Sequence, residues 1–473
     1  MRVWIRTLFF AFLLAWPLLL FSRPAYIDGD SLAYLKGGEA AVDFVLNKIV
    51  PDQQYTAQVI LGEGGAALAP SGDDPPKPIG ATNGARSAWY STIAYIMSGS
   101  GMRMIPLAIA QVLVTAFTVV LAAEAFGPVS NRAFAVTAVI LAVGTPLVLV
   151  SNLIMPDIFA GLAALAILIF LFRHDQLSLW PKTFLLVLIT LSTSLHASIP
   201  PLIVAILLLA FVIWLWRRRS DSGIAGAAMG GVAISLGIGM TMTAASGMLA
   251  FGEVSLAPKH FPHALARSIS DGPARWYLEE KCQKPRYAVC EVFGTDIPDT
   301  ITGFLFDHGL EQRATAEQMN RIRAEETEIV MNAARRYPVA ELRTLTYNIF
   351  RQMALFDNRT TFFHIPLMRG PDGSPMLGKP DVDRLGFFAF FDWITYAVVT
   401  LALVWLILRL PKMARRDRDA LLLLFGAMVA NAIIVVVFSG VAPRYSARVV
   451  WVVPLMACLL AATFRRLEGE QRT

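Results

Sequence analysis

The sequence predicts an all-α polytopic membrane protein of about ten transmembrane helices, with a mixed, mainly helical extracytoplasmic domain. Three observations carry that prediction. Of 473 residues, 56% are hydrophobic and only 16% are charged, whereas a soluble chain carries roughly a quarter charged residues. The apolar residues come in blocks of about 18–22, the length that crosses a hydrocarbon layer of about 30 Å. Lys and Arg gather at the ends of those blocks, in alternate connections, as the positive-inside rule requires.

The expected spans are Trp4–Phe21, Met104–Ala123, Ala133–Val150, Ile158–Phe172, Thr183–Leu195, Pro201–Trp216, Ile224–Met248, Phe388–Leu408, Ala420–Phe438 and Val449–Phe464. The first follows Arg2 and Arg6 like a signal peptide. Arg23 and Pro24 stand where a small-x-small cleavage site would be, so it reads as an uncleaved helix. The fourth and fifth are short for a span.

Orientation follows from the short connections. One side carries Arg132, Arg173, Lys182, Arg217, Arg218, Arg219, Arg409, Lys412, Arg415, Arg416, Arg418, Arg465 and Arg466. That side is expected to be cytoplasmic, with both termini in it, in a multi-pass membrane of bacterial inner or plasma type. The organisation expected is an N-terminal membrane region (1–250) that includes a first outer loop (22–103). A large outer loop domain (251–385) and a C-terminal membrane region (386–473) follow. Within the first loop, Ser31–Val50 is amphipathic, Gly62–Pro78 is rich in Gly, Pro and Asp, and Ala85–Met97 is half apolar. Within the second, Ala314–Tyr337 reads as a solvated helix and Gly370–Asp383 as a Pro/Gly loop. No internal repeat stands out, which weighs against an inverted-repeat transporter.

The residues able to carry chemistry fall on the outer side. Asp28 and Asp30 follow the first span, where a partly desolvated carboxylate can serve as general base; a solvated turn with a capping Asp is the plainer reading. Asp157, after Met155-Pro156, suits helix capping or a second acidic group in the same cavity. His196 lies in a turn of small and apolar residues, either as a proton carrier or as a hydrogen-bonded interfacial histidine. Arg444, Tyr445 and Arg448 open the last span from the outside, against the charge trend. A guanidinium there pairs with a phosphate in bidentate fashion, or snorkels to headgroups. Lys259, His260, His263, Arg267 and Arg275 read as a basic, headgroup-facing segment, because no third ligand accompanies the two histidines. No phosphate-binding loop, dinucleotide fingerprint or nucleophile elbow is present. Of three cysteines, Cys458 lies in an apolar block, while Cys282 and Cys290 share the long outer segment. Oxidation is permitted there, so those two are expected to form a disulfide.

In its order of features the chain resembles the GT-C superfamily of polytopic glycosyltransferases. Those features are one helix, an acidic outer loop (Asp28, Asp30), an acidic turn (Asp157), a His-containing turn (His196), a large late outer domain and an Arg-Tyr entry to the last span (Arg444, Tyr445). The resemblance spans the membrane region and is one of pattern. It implies a polyprenyl-phosphate-linked sugar donor, a glycan or lipid-linked acceptor, contact with membrane lipids and no nucleic acid. It also implies a base at Asp28 or Asp30 and substrate contacts from Asp157, His196, Arg444, Tyr445 and Arg448. The superfamily's paired acidic motif occurs only as Asp28-Gly29-Asp30, which leaves a divalent cation as an open cofactor. An envelope polysaccharide polymerase or ligase, and a secondary transporter or flippase, are the other function classes. A transporter is expected to place charges at mid-membrane, and the spans here are nearly free of them.

Overall fold

The computed structural model describes residues 2–26, 30–49, 86–98, 104–127, 129–217, 224–257, 259–284, 286–357, 367–369, 375–377 and 385–470. Helices dominate throughout. Two strands, β1 (Leu367–Arg369) and β2 (Pro375–Leu377), pair antiparallel as the one sheet among the described residues. Asp28, the Gly62–Pro78 loop and most of Gly370–Asp383 lie outside the described residues.

The N-terminal half holds α1 (Arg2–Leu14), α2 (Trp16–Phe21), α3 (Asp30–Ile49), α4 (Ala88–Ser98), α5 (Ile105–Ala125), α6 (Asn131–Gly144), α7 (Leu147–Ser151) and α8 (Ile158–Arg173). Then come α9 (Leu179–Leu195), α10 (Ile199–Arg217) and α11 (Gly226–Phe251). Among the described residues, seven helices are long and apolar enough to cross a membrane: α5, α8, α10, α11, α19 (Leu385–Arg409), α20 (Arg415–Phe438) and the pair α21 (Pro443–Val450) and α22 (Val452–Glu470). Two more, α6 and α9, are apolar but shorter. The chain is a multi-pass integral membrane protein. Its most buried span is α8, which packs against α5, α9, α10, α20 and α21.

Three expected spans are broken by proline. Trp4–Phe21 divides at Ala15, ahead of Pro17; Ala133–Val150 divides at Thr145-Pro146; and the last span starts earlier than expected, at Pro443, and breaks at Trp451, ahead of Pro454. Proline lacks the N–H that would continue the ladder and its ring crowds the carbonyl four residues back. At the first break the Leu14 carbonyl is taken by Asn152 Nδ2 at 2.8 Å. Amphipathic α3 and half-apolar α4 pack together, and Gly38 permits it: a Cβ there would strike the Ser91 carbonyl.

A separate helical cluster follows α11: α12 (His263–Asp271), α13 (Pro273–Lys281), α14 (Ala288–Phe293), α15 (Ile301–Leu305), α16 (Leu310–Arg313), α17 (Ala316–Arg336) and α18 (Pro338–Ala354). It has its own core, including Leu265, Ile269, Leu278, Phe304, Met319 and Ile329. The sequence expectation of a helix over Ala314–Tyr337 meets α17, which starts in a capping box of Thr315 and Gln318. A disulfide joins Cys282 to Cys290, tying the end of α13 to α14.

Candidate functional site

The chain brings the segment after α2 against the turn before α8. Ala25 N–H donates to the Asn152 carbonyl and Ile154 N–H donates to Ala25, each at 2.9 Å. Gln111, buried in α5, fixes the same turn by donating to the carbonyls of Ser151 (3.2 Å) and Leu153 (2.8 Å), while Tyr90 Oη donates to its amide oxygen at 2.8 Å. These bonds position Asp157 at the mouth of α8. Arg173 stands at the other end of that helix, about 24 Å away at 1.5 Å per residue.

Around the Asp157 mouth, parts distant in sequence converge. Asp30, the first residue of α3, receives Arg86 on one carboxylate oxygen and Arg444 on the other. Arg444 also donates to Tyr445 Oη at 3.2 Å, and Tyr445 Oη sits 2.8 Å from Ser439 Oγ. The guanidiniums of Arg444 and Arg448 lie over the Tyr445 ring, 5.0 and 5.3 Å from its centre. Arg86 lies over Tyr34, whose ring meets that of Tyr90 edge-on. Arg448 donates to Asn431 Oδ1 at 2.8 Å, and Asn431 Nδ2 donates to the Tyr445 carbonyl at 2.7 Å.

The deepest pair is Asp157 and Arg448, each only 1% exposed, with Oδ1 and Nη1 3.8 Å apart. Among the described residues, neither oxygen of Asp157, nor Nε and Nη1 of Arg448, has a hydrogen-bond partner. Asp157 occupies the N-cap position of α8 but makes no side-chain cap bond, so plain capping does not explain it. A buried charge left short of partners costs several kcal/mol. Gly161 makes the close approach of α8 and α21 possible, because a Cβ there would collide with the Arg448 carbonyl and the Trp451 ring.

His196 lies close enough to feel the charges of the same cluster. Ser198 N–H donates to its Nδ1 at 3.1 Å, so Nδ1 is an acceptor and the neutral ring carries its proton on Nε2. Burial pushes the imidazole down to about 4; Asp157 opposes this, while Arg448, Arg86 and Arg444 reinforce it. His263, from α12, is likewise pushed down to about 4 by burial and Arg86, against Glu326 and Asp30. Both rings are neutral near pH 7. Burial would raise the Asp30 carboxyl, yet Arg444 and Arg86 hold it below the usual carboxylate range.

The structure thus groups Asp30, Asp157, His196, Arg444, Tyr445 and Arg448; Asp28 lies outside the described residues. His260 is engaged elsewhere, with Nε2 3.2 Å from Glu326. Among the described residues no group of three or more His, Cys, Asp or Glu side chains is placed to hold a metal ion. Sequence reasoning missed Arg86 and Asn431. Each had a signal: Arg86 is the one charged residue between positions 78 and 102, and Asn431 is the one strongly polar residue between 421 and 438. No protein-family model matches the chain, and no curated protein is significantly similar to it in sequence.

Proposed function

We propose that the chain is a membrane glycosyltransferase that moves a sugar from a polyprenyl-phosphate donor to an acceptor on the extracytoplasmic face. One observation carries the reading: in the chamber, the three guanidiniums of Arg86, Arg444 and Arg448 face the two carboxylates of Asp30 and Asp157. With His196 and His263 neutral, one positive charge is left over among these described residues. A phosphodiester, the linkage of a polyprenyl-phosphate sugar, brings one negative charge and balances it.

The surroundings support a lipid-borne substrate. A groove of about 500 Å³ runs between α10, α11 and α20, lined by apolar residues that include Pro200, Val204, Leu208, Met240, Ala430 and Ile434. It starts at Pro200 and Pro201, just beyond the His196 turn, and suits a hydrocarbon tail. Adding α6, α9 and the kinked α1–α2 pair to the seven long helices gives ten spans. With basic connections inside, both termini are cytoplasmic and the chamber is extracytoplasmic.

The two carboxylates divide the work. Asp30 is saturated by two arginines, so it positions them and is a poor proton acceptor. Asp157 keeps both oxygens unbonded, so it is the better base. It takes the proton of the acceptor hydroxyl as that oxygen bonds to the anomeric carbon. The bond from that carbon to the phosphate oxygen breaks, and its electron pair leaves with the polyprenyl phosphate, inverting the centre. The phosphate gains one negative charge while Asp157 loses one, so the total charge of the chamber is unchanged. Arg444 and Arg448 hold the leaving phosphate.

The test is transfer from synthetic polyprenyl-phosphate sugars by the protein reconstituted in vesicles, followed by mass spectrometry. The reading expects a product that needs the phosphodiester donor. Failure of a panel of such donors either to react or to bind would contradict it.

A further inference from the structure

Helix α18 is built inside out. Three of its polar residues, Glu341, Asn348 and Gln352, face the protein and are bonded there. Glu341 receives Arg267 at 2.5 Å, Asn348 donates to Asp271 at 2.9 Å, and Gln352 donates to the Ala442 carbonyl (2.9 Å) and Ser446 Oγ (2.8 Å). Four large apolar residues face out: Val339, Leu342, Tyr347 and Phe350 are 65–79% exposed, and they recur at the spacing of one helix face. A helix facing water shows the reverse pattern. Each exposed apolar side chain forgoes the stabilisation that removal from water brings, so the outward face calls for an apolar phase.

The position of α18 says which phase. Gln352 is bonded at Ala442 and Ser446, where the last span begins, and α18 packs along α20, itself a span. The apolar stripe therefore stands at a membrane boundary. Arg343 and Arg351 are exposed on the same helix, and no carboxylate among the described residues pairs with either. Guanidiniums beside an apolar stripe at that level match a surface of lipid phosphates.

We propose that the outward face of α18 lies in the membrane interface, with its apolar stripe among the upper acyl chains and Arg343 and Arg351 on the headgroups of anionic phospholipid. This stands apart from the transferase reading and survives if that reading fails. The full chain, with Cys458→Ala and the disulfide retained, is reconstituted in vesicles of phosphatidylcholine with phosphatidylglycerol. Spin labels are placed singly through Leu342→Cys, Phe350→Cys and, as a control on α17, Glu317→Cys. Collision with oxygen is expected to exceed collision with a nickel chelate at 342 and 350, and the order should reverse at 317. Nickel access at 342 and 350 equal to that at 317 would overturn the proposal. Exclusion of both reagents would also overturn it, by showing a protein partner such as a second copy. Preference for spin-labelled phosphatidylglycerol over phosphatidylcholine should fall in Arg343→Gln/Arg351→Gln, by about fivefold for each arginine at low salt. An unchanged preference would overturn the headgroup assignment.

Discussion

The two ends of the helix bundle handle charge in opposite ways. At the end with the short basic connections, four arginines each pair with an acid of their own among the described residues. Arg6 meets Glu124 at 2.6 Å, Arg217 meets Asp419 at 3.1 Å, Arg416 meets Asp175 at 2.6 Å, and Arg173 meets Asp417. Several of these partners reach solvent, and Glu124 and Asp175 are 34% and 51% exposed. At the other end three arginines share two aspartates, and the innermost pair stays 3.8 Å apart with hydrogen bonds unfilled. Ion pairs of this kind tie neighbouring helices together and serve the fold. On the proposed reading, the buried surplus among the described residues is what a bound phosphate balances.

The sharpest way to break that contrast is to remove one carboxylate from each end. Asp157→Asn is expected to lower turnover by at least ~10²-fold, as loss of a general base does, while donor binding persists. Asp417→Asn is expected to leave turnover unchanged. Equal losses from both would reduce the contrast to general destabilisation. Arg444→Lys keeps the charge but loses the planar fork, so donor affinity and turnover should both fall, on the order of tenfold. A titration of donor against the variant reads this directly, and unaltered affinity would remove Arg444 from the phosphate site. Gly161→Ala should push α8 from α21, lowering stability by about 1–3 kcal/mol through overpacking and separating Asp157 from Arg448. Thermal unfolding together with turnover would register both effects. Arg6→Gln, at the matched end, should cost roughly 1–3 kcal/mol of stability with turnover per folded molecule intact.

The smallest expected effect is on pH dependence, because solvent partly reaches both histidines. His196 and His263 fall to about 4 in the folded protein, against about 6.5 in an unfolded chain. The unfolded state therefore takes up protons first, and stability declines as pH drops from about 6.5 toward about 4. The Asp30 contribution is present above the unfolded carboxylate value of about 3.9 and disappears as pH falls through its lower folded value. His263→Gln should flatten the slope of Tm between pH 7 and pH 5 (a range set by about 6.5 and about 4). A slope identical to the parent protein would show that His263 does not titrate as described.

Much of the membrane layout was legible in the sequence, because about 18–22 apolar residues between charged ends admit few other structures. What periodicity could not show was where proline divides a block, since Pro17, Pro146 and Pro454 leave the apolar character intact while breaking the ladder. The grouping of Asp30 with Arg444 is a different kind of information. They are separated by 414 residues, and no local pattern encodes that meeting. The positions of Asp157 and Arg448 were visible as oddities, an acid and a base at the ends of apolar blocks. Their lack of hydrogen-bond partners was not, because it depends on what Asn431 and Gly161 do to the packing between α8, α20 and α21. Arg86 escaped attention for the plainer reason that it follows a long polar stretch, where one more cation carries no weight.

On the proposed reading, the surplus positive charge of Arg86, Arg444 and Arg448 holds the phosphate of a lipid-linked sugar. A density map of the protein in lipid nanodiscs with a non-transferable polyprenyl-phosphate sugar analogue tests it most directly. The phosphate is expected within hydrogen-bond reach of the Arg444 and Arg448 guanidiniums, roughly 2.7–2.9 Å from nitrogen to oxygen, with the anomeric carbon turned toward Asp157. The analogue bound away from these residues, with Asp157 and Arg448 unchanged and 3.8 Å apart, would contradict it.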